Sequence, residues 1–176
     1  MIDVQTIGVL IAAASVVIGV MNSVLMSRRE DRRNQLTLET RQAQLFMQIY
    51  QQFNSKEFMT QYNDIIQNWS WADFDDFIQK YASDIDTFSS LSSVGTFFEG
   101  IGVLVKRGLV DPGLVDDLMS GHTMQSWEKL QPFYIEGRRR WNWPQLGEWW
   151  EYLYNEIKAI VEKQHPEFEG KLLGTR

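Results

Sequence analysis

The sequence predicts an all-α protein in which one N-terminal transmembrane helix continues into a cytoplasmic α-helical bundle. Three observations predict it. Val4 to Met26 is a run of 23 residues with no charged side chain, enough to cross a hydrocarbon core that takes about 20 helical residues. Downstream, apolar residues return every three or four positions. No stretch alternates with period two around a hairpin turn.

The apolar run is read as an uncleaved anchor. A cleaved signal peptide carries its positive charges before a shorter apolar core, whereas Asp3 precedes this one and Arg28, Arg29, Arg32 and Arg33 follow it. Basic residues stay on the cytoplasmic side. The expectation is therefore a single-pass protein of the cell membrane, with a short N-terminus outside, a basic collar at the membrane surface and a cytoplasmic body. At 100° per residue, Gln5, Gly8, Ala12, Ser15, Gly19, Asn22 and Ser23 share one arc. Small residues at four-residue spacing let two helices approach closely, and Asn22 is more stable against a partner helix than in lipid. Gly8, Ala12, Ser15, Gly19, Asn22 and Ser23 form a candidate helix–helix interface, for self-association or for docking on another membrane subunit. The same polar stripe is also compatible with a narrow pore lining.

No proline occurs before Pro112 and no glycine between Gly19 and Gly95, so nothing stops the helix at the bilayer surface. Leu38, Leu45, Phe46, Ile49 and Phe53 share a face, which extends the helix to about residue 53 as an amphipathic segment. Asn54, with Glu57 three residues on, opens a helix over about 55–68. Ser70 and Asp73 precede another at about 72–81. Asp84 opens a long one to about 107, with Phe97, Ile101, Val105 and Leu109 spaced by four and Gly108 at C′. This apolar stretch contains Glu99 and is expected to be a core helix. Asp111-Pro112 is a strong start signal, and that helix is expected to end near Gly121. Trp127, Leu130, Tyr134 and Trp141 mark a helix at 123–141. Pro144 starts the last helix, whose Leu146, Trp149, Trp150, Leu153, Ile157, Ile160 and Val161 give the best amphipathic pattern. Pro166 ends it. The expected organisation is a stub at 1–3, the transmembrane helix at 4–26, a juxtamembrane helix at 27–53, a bundle at 54–165 and a polar tail at 166–176.

Composition narrows function. The chain of 176 residues has no cysteine, which removes disulfides, thiolate nucleophiles and iron–sulfur ligation. Formal net charge is -6. Residues 56–120 carry four positive charges against eleven negative, the wrong sign for nucleic acid.

The segment Phe97-Phe98-Glu99-Gly100-Ile101-Gly102-Val103-Leu104-Val105-Lys106-Arg107-Gly108-Leu109-Val110-Asp111 is followed by Leu114-Val115-Asp116-Asp117-Leu118, by Trp127-Glu128-Lys129-Leu130-Gln131-Pro132 and by Arg138. Over about residues 40–165 it resembles an uncharacterised domain-of-unknown-function family of small prokaryotic, membrane-anchored helical proteins. The resemblance implies one membrane helix and a helical cytoplasmic domain. It brings no catalytic residues.

Chemistry candidates are few. Glu99 lies on the apolar face of its helix, where a carboxylate is paired, neutral or part of a site. A buried ion pair with Arg138, or with Arg139 or Arg140, is expected; the other reading is an acid in a pocket. Asp73/Asp75/Asp76, Asp84/Asp86 and Asp116/Asp117 match no EF-hand spacing and suit helix N-termini. His122, expected at a helix junction, and His165 have no triad or zinc-site spacing. No catalytic residue, metal ligand or cofactor motif is assigned. Trp141, Trp143 and Trp150 are candidate partner-contact aromatics, with Arg138-Arg139-Arg140 suited to anionic lipid headgroups. The leading expectation is a non-enzymatic interaction protein, a scaffold or accessory subunit in contact with membrane lipid. A homo-oligomeric pore and a tethered sensor or enzyme centred on Glu99 are the alternatives.

Overall fold

The computed structural model describes residues 4–167 and, from residue 21 on, their side chains. Among the described residues there are six α-helices, one π-helical turn and no strand: α1 (Val4–Phe53), α2 (Lys56–Asn68), α3 (Phe74–Phe77), the π-turn Ile78–Ala82, α4 (Ile85–Lys106), α5 (Pro112–Arg140) and α6 (Glu148–Gln164). The all-α class expected from the helical periodicity is the class observed. The chain divides into two compact units, Met1–Ala43 and Gln44–Arg176.

In the first unit, every described side chain from Met21 to Arg41 is exposed, Arg28, Arg29, Arg32 and Arg33 included. Asn22 and Ser23 are exposed as well. Gly8, Ala12, Ser15 and Gly19 lie outside the described side chains.

In the second unit, short polar residues set the helix starts. Ser55 accepts from the Phe58 N–H, Asp73 from Asp76, Asp84 from Thr87 and Asp111 from Gly113. Each such cap stabilises its helix by about 1 kcal/mol. The cap of α2 falls one residue later than expected, because Asn54 donates its Nδ2 back to the Tyr50 carbonyl and closes α1 instead. The helix expected at 72–81 is a single α-turn that widens into a π-turn, where Ser83 N–H and Oγ both donate to the Ile78 carbonyl. Gly108, at φ +65°, ends α4 in the left-handed conformation expected of C′.

Two boundaries differ from expectation. α5 does not end near Gly121 but runs unbroken through it and through Pro132 to Arg140. Gly121 costs the helix about 1 kcal/mol, and burial of Met119, Met124, Trp127 and Leu130 on the same helix outweighs it. His122 therefore sits inside a helix, not at a junction, with its ring 4.9 Å from Phe53 and 5.4 Å from Tyr62. Pro144 opens a turn, not α6, which starts at Glu148 after Gly147.

The core is aromatic. Phe53, Phe58, Tyr62 and Phe97 join α1, α2 and α4. Phe98, Trp127, Tyr134 and Trp150 join α4, α5 and α6. Among the residues whose side chains are described, from residue 21 on, α4 is the one helix long and apolar enough to cross a membrane. Its buried Leu91, Val94, Phe97, Phe98, Ile101 and Val105 make it a core element, as its Glu99-bearing apolar stretch predicted.

Candidate functional site

The site is built on one stripe of α4. Gly95, Glu99 and Gly102 are spaced by four and three, so they lie on one face of the helix. Each meets a different partner. A Cβ at Gly95 would fall 2.5 Å from the Tyr134 hydroxyl oxygen. At Gly102 it would overlap the Trp149 carbonyl oxygen. The two glycines let α5 and α6 close onto α4, and Glu99 lies between them.

Glu99 faces the start of α6. The N-cap there is Gly147, at φ +70°, which offers no side-chain acceptor to the first-turn N–H groups. A Cβ at this position would strike the Tyr134 ring at 2.5 Å. The glutamate on α4 supplies the acceptor that the glycine cap cannot. Burial pushes the Glu99 carboxyl above its ordinary range, and the Trp150 and Trp149 backbone N–H groups draw it partly back. Glu148 pushes it up further, while Arg138 lowers it from a distance. Its Oε1 is enclosed without a hydrogen-bond partner. Tyr134, buried beside it, is held well above the usual phenol range by burial and by the Glu99 charge, and stays protonated.

The expected Glu99–Arg138 ion pair does not form. Arg138 lies in the last turn of α5, where its Nε donates to the Leu146 carbonyl at 2.7 Å and its Nη1 to Glu151 Oε2 at 2.6 Å. Its guanidinium ties the end of α5 to the turn and to Glu151 in the first turn of α6, the turn whose Trp149 and Trp150 N–H groups face Glu99. Arg139 and Arg140 pair with Glu136, and Arg140 also with Asp75. These arginines hold Glu136 down to about 2.

Around this stripe lies a cavity of about 720 Å³. It is lined by Gly95, Glu99, Tyr134 and Gly147 and by the apolar rings of Phe88, Phe133, Trp141 and Trp143. Phe88, Trp141 and Trp143 are about half exposed, at 47%, 48% and 54%. The volume is that of small-molecule pockets, which are mostly apolar with a few convergent polar groups.

Of the three tryptophans expected at a partner surface, Trp141 and Trp143 are at the surface and border this cavity. Trp150 is not. It is fully buried, stacked on Phe98 at 4.9 Å and 12° and packed on Trp127 and Tyr134. The acidic clusters are dispersed in structural roles. Asp73 and Asp84 cap helices, Asp76 pairs with Lys80, and Asp75 pairs with Arg140. Tyr134 and Gly147 escaped the sequence reading. The signal for Gly147 was a glycine immediately before the acidic first turn of α6; for Tyr134 there was none beyond its place on the buried stripe.

Fold and site define an α-helical domain with an apolar-walled cavity bordered by one carboxylate. The chain belongs to the DUF4760 family, a domain of unknown function, which it matches over residues 4–157. No curated protein and no solved structure matches it.

Proposed function

We propose that this protein is a membrane-anchored, non-enzymatic interaction module, a scaffold or accessory subunit that assembles through its N-terminal helix with itself or with a larger membrane complex. One observation carries the reading. A single helix, α1, contains the uncharged stretch, the exposed arginine collar and, at its far end, Phe46 and Phe53 of the core. Met21, Val24, Leu25 and Met26, at the end of the uncharged stretch, are apolar and exposed, which suits lipid. The arginines beyond them suit anionic headgroups and favour a cytoplasmic body. The small-residue arc on the same helix supplies the assembly surface.

Crosslinking of the full chain in native membranes tests the proposal. The chain is expected in adducts larger than one copy, and Gly19→Leu is expected to reduce them. A monomer without partners, unchanged by Gly19→Leu, overturns it.

A further inference from the structure

The cavity on α4 has a chemistry that the interaction role leaves unused. We propose that it binds an organic cation with an apolar body, a primary or secondary ammonium whose head sits against Glu99 and whose hydrocarbon part lies among Phe88, Phe133, Trp141 and Trp143.

Four observations select this class. The volume of about 720 Å³ admits a small organic molecule and its lining is largely apolar, with Phe88, Phe133, Trp141 and Trp143 among it. Glu99 is the one acidic or basic residue lining the cavity, among the described residues, and its ionised form is negative. That carboxylate lacks a counterion at contact distance. Arg138, the cation whose charge reaches it, gives its Nε to the Leu146 carbonyl and its Nη1 to Glu151 and keeps a buried, unpaired Nη2, and the enclosed Glu99 Oε1 has no hydrogen-bond partner. The surroundings add negative potential, through Glu148 nearby. An ammonium placed here gains a charge-assisted hydrogen bond and lies over aromatic faces that attract cations. An anion meets repulsion from Glu99, and a neutral molecule gains only the apolar walls.

The test compares three probes with one body: 4-phenylbutylamine, 4-phenylbutan-1-ol and 4-phenylbutyrate. Binding to the full chain in phosphatidylcholine nanodiscs is measured by equilibrium dialysis at pH 7, with empty nanodiscs subtracted. The amine is expected to bind at least about tenfold more tightly than the alcohol, as a charge-assisted hydrogen bond supports, and the butyrate more weakly than both. Glu99→Gln is expected to bring amine and alcohol level. Ser92→Trp places a bulky side chain at an exposed position of α4 on the cavity wall, and is expected to remove binding of the amine while the protein stays folded. Equal or tighter binding of the alcohol or the butyrate, no binding of any probe, or an amine preference that survives Glu99→Gln or Ser92→Trp overturns the proposal. If Glu99→Gln does not fold, the probe ranking and Ser92→Trp decide. None of these readouts depends on assembly, so a monomeric chain leaves the test intact.

Discussion

Gly102 and Gly100 sit two residues apart, on opposite sides of α4, and are expected to respond to the same substitution with opposite signs. Both lie inside α4, where alanine gains about 1 kcal/mol over glycine from helix propensity. At Gly100 a new Cβ meets nothing within 4 Å, so Gly100→Ala collects that gain. At Gly102 the Cβ would overlap the backbone carbonyl of Trp149. A backbone atom cannot rotate aside, so the start of α6 has to move away from α4, taking Trp150 from its stack on Phe98. Overpacking of this kind costs about 1–3 kcal/mol, and a displaced backbone puts the cost at the upper end. Net of propensity, Gly102→Ala is expected to lose about 2 kcal/mol and Gly100→Ala to gain about 1 kcal/mol. For a chain of this size each 1 kcal/mol shifts Tm by about 2–4 °C, which places the two variants about 6–12 °C apart. Thermal unfolding of the full chain in one neutral detergent, followed by near-ultraviolet circular dichroism, measures this. A Gly102→Ala variant as stable as Gly100→Ala refutes the close approach of α4 and α6, and with it the placement of Glu99 at the α6 start.

Two further predictions follow from the site. Because burial raises the folded-state pKa of Glu99, its ionisation works against folding: the penalty is absent well below the carboxylate range and develops as pH rises through and above it. Glu99→Gln is therefore expected to gain in Tm relative to the parent between pH 4 and pH 7, and paired melts at the two pH values check the sign; a variant that loses ground on going to pH 7 contradicts it. Trp150→Ala removes a fully buried ring and is expected to cost about 3–5 kcal/mol, whereas Trp143→Ala, 54% exposed, is expected to stay within about 0.5 kcal/mol; urea midpoints of the two variants separate the core tryptophan from the surface one.

The helical class and most helix starts were legible because their causes are local. Asp73, Asp84 and Asp111 cap the helices that follow them, and Gly108 ends α4, each through atoms a few residues away. What was not legible depends on partners distant in sequence. Glu99 reads as a buried acid in need of a cation, but its nearest electrostatic partner is the bare N-terminus of α6, some 50 positions on, and Arg138 turns instead to Glu151. Gly121 reads as a helix end because propensity is local, while the burial that carries α5 through it comes from the tertiary core. Trp141, Trp143 and Trp150 look alike in sequence. Only the packing of α6 on α4 and α5 separates the buried Trp150 from the two that border the cavity.

The central claim, a membrane anchor that is also an assembly surface, is tested most directly by the mass of the particle. The full chain is extracted with its surrounding lipid, and the particle is weighed by native mass spectrometry with co-purifying chains identified. The account predicts two or more copies of the 20.6 kDa chain, or one copy with a membrane partner. A single copy alone, or a chain recovered from the aqueous fraction without lipid, contradicts it.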